Sequence, residues 1–273
     1  MPNNLVYIVM DSCRYDSFAS AATPNMDRLG QADSRYSFAS WTSPSHFVLL
    51  MGISPHTSPT GVFASEVYKE DFTKWRDRLG IPDLEFKSFV PELSLPCKLR
   101  KLGYKTVGKV SLPVLNRFTG FSAHFDEYKL MDSHNDFAGM IEEISFDPEK
   151  PTFYFLNLGE THYPYMLTKE EIPVLHGVHG VFKHMDGESN EAVEFFNEDK
   201  MEFLRARQVY CVEYLDGLMD KLYKKCPPGT HIIITADHGE LFGEGGYFGH
   251  GPIFHEKVFE VPFLEGPVPA SGN

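Results

Sequence analysis

The sequence predicts an α/β fold in which a mostly parallel central sheet carries helices on both faces. The first observation is a set of continuous apolar runs, typical of strands buried on both faces, at residues 5–11, 104–110, 151–160 and 231–237. The second is the alternation of these runs with helical patterns, of which residues 198–225 are the clearest. Strands that alternate with helices favour a parallel sheet.

Shorter segments complete the predicted order of elements. Residues 23–32 begin with Thr and Pro and predict a helix, and residues 43–53 predict another that starts at or just after Pro44. A third short helical pattern covers residues 93–102 and ends at a glycine. Residues 257–264 predict a last strand before a tail rich in Pro and Gly.

We expect residues 1–273 to form a single domain. Residues 165–197 are polar and weakly periodic, which predicts a long insertion or a lid. Because the chain stops soon after residue 264, we expect a compact fold without a large C-terminal subdomain. A large substrate, the lid, or a second copy of the chain in a homo-oligomer would then complete the pocket.

Composition and charge exclude some function classes. The formal net charge is −13 and no Lys/Arg-rich run occurs, which argues against nucleic acid and anionic membranes as partners. No apolar run approaches the length of a membrane span, and residues 1–11 lack a basic leader. The four cysteines form no CxxC pair. We therefore expect a cytoplasmic protein with reduced thiols.

Titratable side chains follow three of the predicted strands. Asp11, Glu160 and the pair Asp237-His238 stand at carboxyl ends of strands, where parallel sheets bind ligands. Carboxylates and imidazole suit Zn²⁺, Mn²⁺ or a similar divalent ion. In the alternative, Asp237 caps a helix and His238 packs in the core. That alternative leaves Asp11 and the histidine of GHG (249–251) unexplained.

Five segments in order carry a resemblance to a known family. They read VYIVMDSCRYD, ASWTSPSH, LGYKTVGKV, TADHGELFGEGGYFGHG and HEKVFEVPF, and they span roughly residues 5–264. The sequence resembles the sulfatase-like branch of the alkaline phosphatase superfamily, and within it the phosphodiesterases and phosphotransferases that use a threonine nucleophile. The resemblance implies an enzyme in which a metal holds a nucleophile at a helix N-terminus.

The resemblance places the nucleophile at Thr42. Sulfatases carry Cys-x-Pro-Ser-Arg here, where this chain reads Thr42-Ser43-Pro44-Ser45-His46. Threonine cannot form the aldehyde that sulfatases make from this Cys, and a hydroxyl needs a metal or a base to attack at neutral pH. His46 takes the place of the arginine as a substrate contact. Two alternatives remain: Thr42 serves only as the helix N-cap, or Ser43 is the nucleophile.

The resemblance assigns further residues around the substrate. Lys109 matches a lysine that contacts the anion, and His162 matches a histidine that faces the substrate. Arg14 matches the phosphotransferase-like members and is expected to bind substrate. His250 is a candidate general acid, anion contact or second metal ligand. In the alternatives, Lys109 is solvated and His162 bonds loop backbone.

The resemblance also implies one divalent ion, Mn²⁺ or Zn²⁺, held by four residues: Asp11, Thr42, Asp237 and His238. Two ions are the alternative, and the second would have to use Glu160, His162 and His250. Three more histidines, His176, His179 and His184, are expected in a surface loop or lid.

The implied function is a metal-dependent hydrolase or transferase that acts on a small anionic ester, a phosphoester or phosphonate, through Thr42. A sulfate-ester hydrolase is the second candidate, and the missing Cys and His46 in place of Arg count against it. A non-catalytic protein of the same fold that binds a metal or an anion is the third.

Overall fold

The structure of the protein is a computed structural model, and it describes residues 3–52, 94–168, 171, 182–183, 197–251 and 253–270. The described strands are β1 (Leu5–Met10), β2 (Asp33–Tyr36), β3 (Lys105–Val110), β4 (Glu127–Leu130), β5 (Thr152–Leu158), β6 (Phe182–Lys183), β7 (His231–Ala236), β8 (Leu241–Phe242), β9 (Tyr247–Gly249) and β10 (Glu260–Pro267). The described helices are α1 (Tyr15–Ser20), α2 (Thr42–Met51), α3 (Leu95–Lys101), α4 (Phe137–Glu142), α5 (Glu198–Lys225) and α6 (Glu256–Phe259). None of these helices is long and apolar enough to cross a membrane.

Seven strands form one sheet in the order β2-β10-β7-β1-β5-β3-β4. Strands β7, β1, β5, β3 and β4 run parallel, whereas β10 pairs antiparallel with both β7 and β2. The four apolar runs of the sequence are β1, β3, β5 and β7, and β5 is buried at every position. The prediction of an α/β fold with a mostly parallel sheet is therefore confirmed.

Successive residues of β1 face two separate cores. Met10 packs in one cluster with Leu215 and Met219 of α5, while Val9 packs in another with Leu50 of α2. Because neighbouring side chains of a strand point to opposite faces of the sheet, α5 and α2 cover opposite faces. Full burial of each such side chain stabilises the fold by about 1.5–3 kcal/mol.

The helix predicted over residues 23–32 is wrong. Only the 3₁₀ turn Met26–Arg28 forms there. The carboxylate of Asp216 in α5 accepts the backbone N–H groups of Asn25, at 3.0 Å, and of Met26, at 2.7 Å. A side chain distant in sequence thus satisfies donors at the start of the segment, as a cap does at the start of a longer helix.

The end of the chain and the glycine-rich segment after β7 also differ from the sequence prediction. The last strand begins at Glu260, because residues 256–259 form α6. Strands β8 and β9 of the glycine-rich segment form a small sheet with β6, in the order β6-β9-β8. Most of the predicted insertion at residues 165–197, with His176, His179 and His184, lies outside the described residues.

Candidate active site

The sheet topology brings three predicted metal ligands together. Asp11 follows β1, and Asp237 and His238 follow β7, which is the neighbour of β1 in the sheet. One ligand atom of each residue lies within 4.8 Å of the others, and all three residues are buried. Parallel neighbours end at the same edge of a sheet, so two strands deliver an acid, a second acid and an imidazole to one place.

The structure also brings Thr42 to this cluster. Its Oγ1 lies 3.3 Å from Nε2 of His238. Thr42 is the first residue of α2, and the N-cap is Trp41, an extended residue whose side chain makes no capping hydrogen bond. Pro44 falls in the first turn, where a missing N–H costs no helical hydrogen bond. The helix N-terminus therefore points the Thr42 hydroxyl at the candidate ligands and leaves it free of a capping role.

The geometry of Asp237 and His238 fits a cation between them. Oδ1 of Asp237 accepts N–H groups from Ser12, at 3.1 Å, and His238, at 3.0 Å. Oδ2 is buried without a hydrogen bond and lies 3.2 Å from Nε2 of His238. Since the His238 ring donates from Nδ1 to the carbonyl of Gly239 at 2.9 Å, Nε2 is the ring atom that faces Oδ2, where it can hold a proton or a metal ion. Two lone pairs this close need a positive charge between them.

The pKa shifts of His238 and Asp237 also indicate a positive charge between the two side chains. Burial by itself lowers the pKa of His238, but the carboxylates of Asp237 and Asp11 outweigh it and raise that pKa to about 9. Burial by itself raises the pKa of Asp237, but His238, His46 and the Ser12 N–H outweigh it and lower that pKa below its usual range. A proton holds the place of the cation when no metal is bound.

His46 lies behind the candidate ligands and not on the open side of the site. It is fully buried. Its Nδ1 donates to the carbonyl of Thr42 at 2.8 Å, and its Nε2 accepts from Nδ2 of Asn157 at 3.2 Å. Nδ1 is also 3.5 Å from Oδ2 of Asp237. These contacts support the start of α2 and the Asp237 carboxylate, and the assignment of His46 to the substrate stays a prediction.

Asn157 is a site residue that the sequence analysis missed. From the end of β5, its Nδ2 donates to Oδ2 of Asp11 at 3.1 Å as well as to His46. Its Oδ1 accepts the N–H groups of Ser111 and Leu112, each at 3.2 Å. The available signal was a lone amide in an otherwise apolar strand, since a buried amide needs several partners.

A second unpredicted contact involves Glu240, two residues after His238. Glu240 is 1% exposed. Its Oε1 accepts from Nδ1 of His250 at 3.0 Å, and its Oε2 accepts from the hydroxyl of Tyr165. Burial and the charge of His238 lower the pKa of His250, while Glu240 opposes them. The ring of His250 lies 4.3 Å from that of His238, between centroids.

A pocket of about 650 Å³ opens beside Thr42. Its described lining divides into a polar part and an apolar part. The polar part contains Thr42, Ser43, His134, His162 and His250. The apolar part contains Trp41, Leu112, Pro113, Val114, Tyr163 and Pro164. Among the described residues of this lining, none carries a carboxylate, ammonium or guanidinium group.

His162 and His134 are two more histidines in the lining of the pocket. His162 donates from Nδ1 to the carbonyl of Tyr163 at 2.7 Å, and its ring centroid is 5.2 Å from that of His250. The backbone bond of the alternative is therefore present, and the contact of His162 with substrate stays a prediction. His134 was not predicted, and burial together with His162 lowers its pKa. Both imidazoles face the pocket that contains Thr42.

The structure does not bring Lys109 or Arg14 into this group. The ammonium of Lys109 pairs with the carboxylate of Glu143. Arg14 is 3% exposed and pairs with Asp16 and Glu244, each at 2.6 Å. These lysine and arginine charges are thus neutralised by acids instead of facing the pocket, and their assignment to the substrate remains a prediction that these contacts do not support.

Glu160, the acid after β5, also points elsewhere. Its Oε1 accepts the N–H of Phe137 at 2.8 Å, at the start of α4. Burial raises the pKa of Glu160 to about 7. The carboxyl group of Glu160 binds the backbone at the start of α4, and this contact directs it away from the candidate metal ligands.

The sulfatase family model matches residues 3–264, and no curated protein sequence matches the chain. The C-terminal periplasmic domain of EptC from Escherichia coli, in complex with Zn, is similar with a TM-score of 0.62 and 16% identity, over 98% of this chain and 73% of that chain. The corresponding domain of the phosphoethanolamine transferase EptC from Campylobacter jejuni gives 0.61 and 14%, over 98% and 80%.

A sulfatase structure is similar to the same degree. BT1596, a 2-O GAG sulfatase, gives a TM-score of 0.61 and 12% identity, over 97% of this chain and 64% of that chain. At such identities the solved structures show a shared fold, while the family model matches nearly the whole chain. The chain therefore belongs to the sulfatase family of the alkaline phosphatase superfamily, a superfamily of enzymes.

Proposed function

We propose that the protein is a metal-dependent phosphoester or phosphonate hydrolase or transferase with Thr42 as its nucleophile. One observation carries the proposal: the Thr42 hydroxyl lies 3.3 Å from Nε2 of His238, in the cluster that contains the unbonded oxygen of Asp237. Asp11, Asp237, His238 and Thr42 would hold one divalent ion, Zn²⁺ or Mn²⁺. When bound, the ion would lower the pKa of the hydroxyl and neutralise charge on the phosphoryl oxygens.

The residues of the chain supply the other parts of the reaction. Thr42 loses its proton to solvent, and Oγ1 forms a bond to phosphorus as the bond from phosphorus to the leaving oxygen breaks. His250 gives a proton to that oxygen and later takes one from the water or alcohol that releases the phosphoryl group from Thr42. The N-terminus of α2 favours the negative charge on the phosphoryl oxygens in the transition state.

The comparisons support the proposal at the level of reaction class. Two of the similar structures are EptC domains, one in complex with Zn and the other named as a phosphoethanolamine transferase. Sulfate-ester hydrolysis is the second candidate, favoured by the family match and by the similarity to a 2-O GAG sulfatase. Thr42 distinguishes the two, because its side chain cannot become the aldehyde of sulfatases while its hydroxyl can attack phosphorus.

The pocket favours a substrate with an uncharged leaving group. Apolar side chains such as Trp41, Val114 and Tyr163 line the pocket that contains the nucleophile. A charged leaving group would lose hydration there, and the described lining gives it no opposite charge in return. Aryl and small alkyl phosphoesters and phosphonates are therefore the first compounds to test.

The test uses purified protein with measured zinc and manganese content. We expect about one ion per chain, and hydrolysis of nitrophenyl phosphodiesters or phosphonates in preference to nitrophenyl sulfate. We expect Thr42→Ala to remove turnover and Ser43→Ala to retain it, since the Thr42 hydroxyl lies 3.3 Å from Nε2 of His238. Turnover of the sulfate alone would favour a sulfatase. Bound metal without turnover of any ester would favour a binding protein.

A further inference from the structure

The buried carboxylate of Glu240 has no part in the reaction as outlined so far, yet it contacts one of its participants. Glu240 is 1% exposed, and the ion-pair partner that the described residues give it is His250, at 3.0 Å. Its second oxygen accepts from the hydroxyl of Tyr165, which is fully buried. Burying a carboxylate is costly unless its oxygens are bonded. Both oxygens are bonded here, and one of the bonds is to a pocket histidine.

The direction of these bonds determines the state of the His250 ring. A carboxylate accepts hydrogen bonds only, so Nδ1 of His250 must carry the hydrogen. Ser12 Oγ, which donates to Asp11, lies 3.3 Å from the same Nδ1 and also faces this hydrogen as an acceptor. Nε2 is then the ring atom left to exchange a proton with the substrate. The tyrosine hydroxyl in turn fixes the carboxylate, because it donates to the oxygen that the ring does not use.

We propose that Glu240, held by Tyr165, is a positioning residue that keeps His250 in the orientation and tautomer needed for proton transfer. This inference rests on the proposed function. In the first step the ring begins with a hydrogen on both nitrogens; the bond from Thr42 Oγ1 to phosphorus forms, the bond to the leaving oxygen breaks, and the proton on Nε2 moves to that oxygen, which leaves the neutral ring with its hydrogen on Nδ1. In the second step Nε2 takes a proton from water, and the water oxygen displaces Thr42 from phosphorus. The buried Glu240–Tyr165 pair touches neither reacting oxygen.

The test compares two esters that differ in how much their leaving group needs a proton. Nitrophenolate leaves 4-nitrophenyl phenyl phosphate as an anion, whereas the more basic phenolate of diphenyl phosphate needs the acid. Glu240→Gln is expected to lower kcat/KM about 100-fold for diphenyl phosphate and less than about 5-fold for the nitrophenyl ester. Tyr165→Phe should also lower kcat/KM more for diphenyl phosphate than for the nitrophenyl ester, but by a smaller factor than Glu240→Gln. Zinc content should stay at the wild-type value in both variants.

Matched controls separate positioning from general damage to the fold. Glu160→Gln changes another buried carboxyl group, bound to the backbone of α4. Tyr154→Phe removes another tyrosine hydroxyl bond, 2.6 Å to the carbonyl of Ser145. Both controls should keep the wild-type ratio of kcat/KM between the two esters. An equal loss for both esters in Glu240→Gln, or loss of zinc, would overturn the inference.

A second measurement does not depend on turnover. Nitrogen-15 NMR of the histidines should show a hydrogen on Nδ1 of His250 in the wild type, and a larger share of the other tautomer in Glu240→Gln. An unchanged tautomer would overturn the positioning role. Wild-type protein that hydrolyses neither ester but shows the expected tautomers would instead count against the proposed function, so the two failures are distinguishable.

Discussion

The raised pKa of His238 makes metal affinity depend on pH in a way that Asp237 controls. In metal-free protein a proton sits on His238 up to about pH 9, and a metal must displace it. Between pH 6.5 and 8.5 the fraction of protein with this proton removed rises about tenfold per pH unit, so the zinc affinity should rise about 100-fold. Proton loss from Thr42 on metal binding would make the rise steeper.

The variant Asp237→Asn tests this pH dependence of zinc affinity. It removes the buried, unbonded Oδ2 and the main charge that raises the pKa of His238. We expect zinc affinity to fall by about 100-fold or more at pH 8.5, since the loss of a group that only supports a ligand already costs about 10–100-fold. The pH dependence should also become flatter, because less of the variant carries the competing proton. The assay is competition against a chromophoric chelator at three pH values.

The same site also fixes the sign of a stability change in metal-free protein. A histidine with a raised folded pKa contributes stability that is complete below its unfolded pKa, near 6.5, and that is lost as the pH rises through about 9. The free energy of unfolding of the metal-free wild type should therefore fall from pH 6.5 to 9, by up to about 3 kcal/mol. Zinc affinity independent of pH, or equal in Asp237→Asn, would refute this reasoning.

Two other predictions concern separate parts of the molecule. Burial raises the pKa of Glu160 to about 7, so the folded state holds a proton that the unfolded state releases near pH 4.5. The free energy of unfolding of the wild type, measured in urea, should therefore fall from pH 4.5 to 7, and Glu160→Gln should lack this fall. Parallel pH profiles of the two proteins would contradict the raised pKa of Glu160. Val114→Asp puts a charge among the apolar side chains that line the pocket. We expect kcat/KM for a nitrophenyl phosphodiester to drop about 10-fold, and an unchanged value would count against a role of these side chains in binding the leaving group.

The metal cluster was largely predictable from the sequence. Asp11, Asp237 and His238 follow continuous apolar runs, and parallel strands bring such ends to one edge of the sheet. Thr42 could not be found this way, since the residues alone favoured a cap. The resemblance to the family placed it, and the sheet and α2 then brought its hydroxyl to His238.

The sequence did not reveal which charges would neutralise one another. Lys109 pairs with Glu143 and Arg14 with Glu244, partners that are 34 and 230 positions away. Asp216 binds the backbone N–H groups of residues 25 and 26, which are 191 and 190 positions away. Local patterns carry no signal for such pairs, because they form only after the layers have packed. Asn157 and Glu240 escaped notice for the same reason, although each lies within a segment of predicted function.

The central claim is that the Thr42 hydroxyl attacks the ester in the shared site. The most direct test is acid quenching of zinc-loaded protein during turnover of a nitrophenyl phosphodiester, followed by peptide mass spectrometry. The account predicts a phosphoryl adduct on Thr42 in wild type, formed with the burst of nitrophenol and missing in Thr42→Ala. An adduct on Ser43, or a full burst in Thr42→Ala, would contradict it.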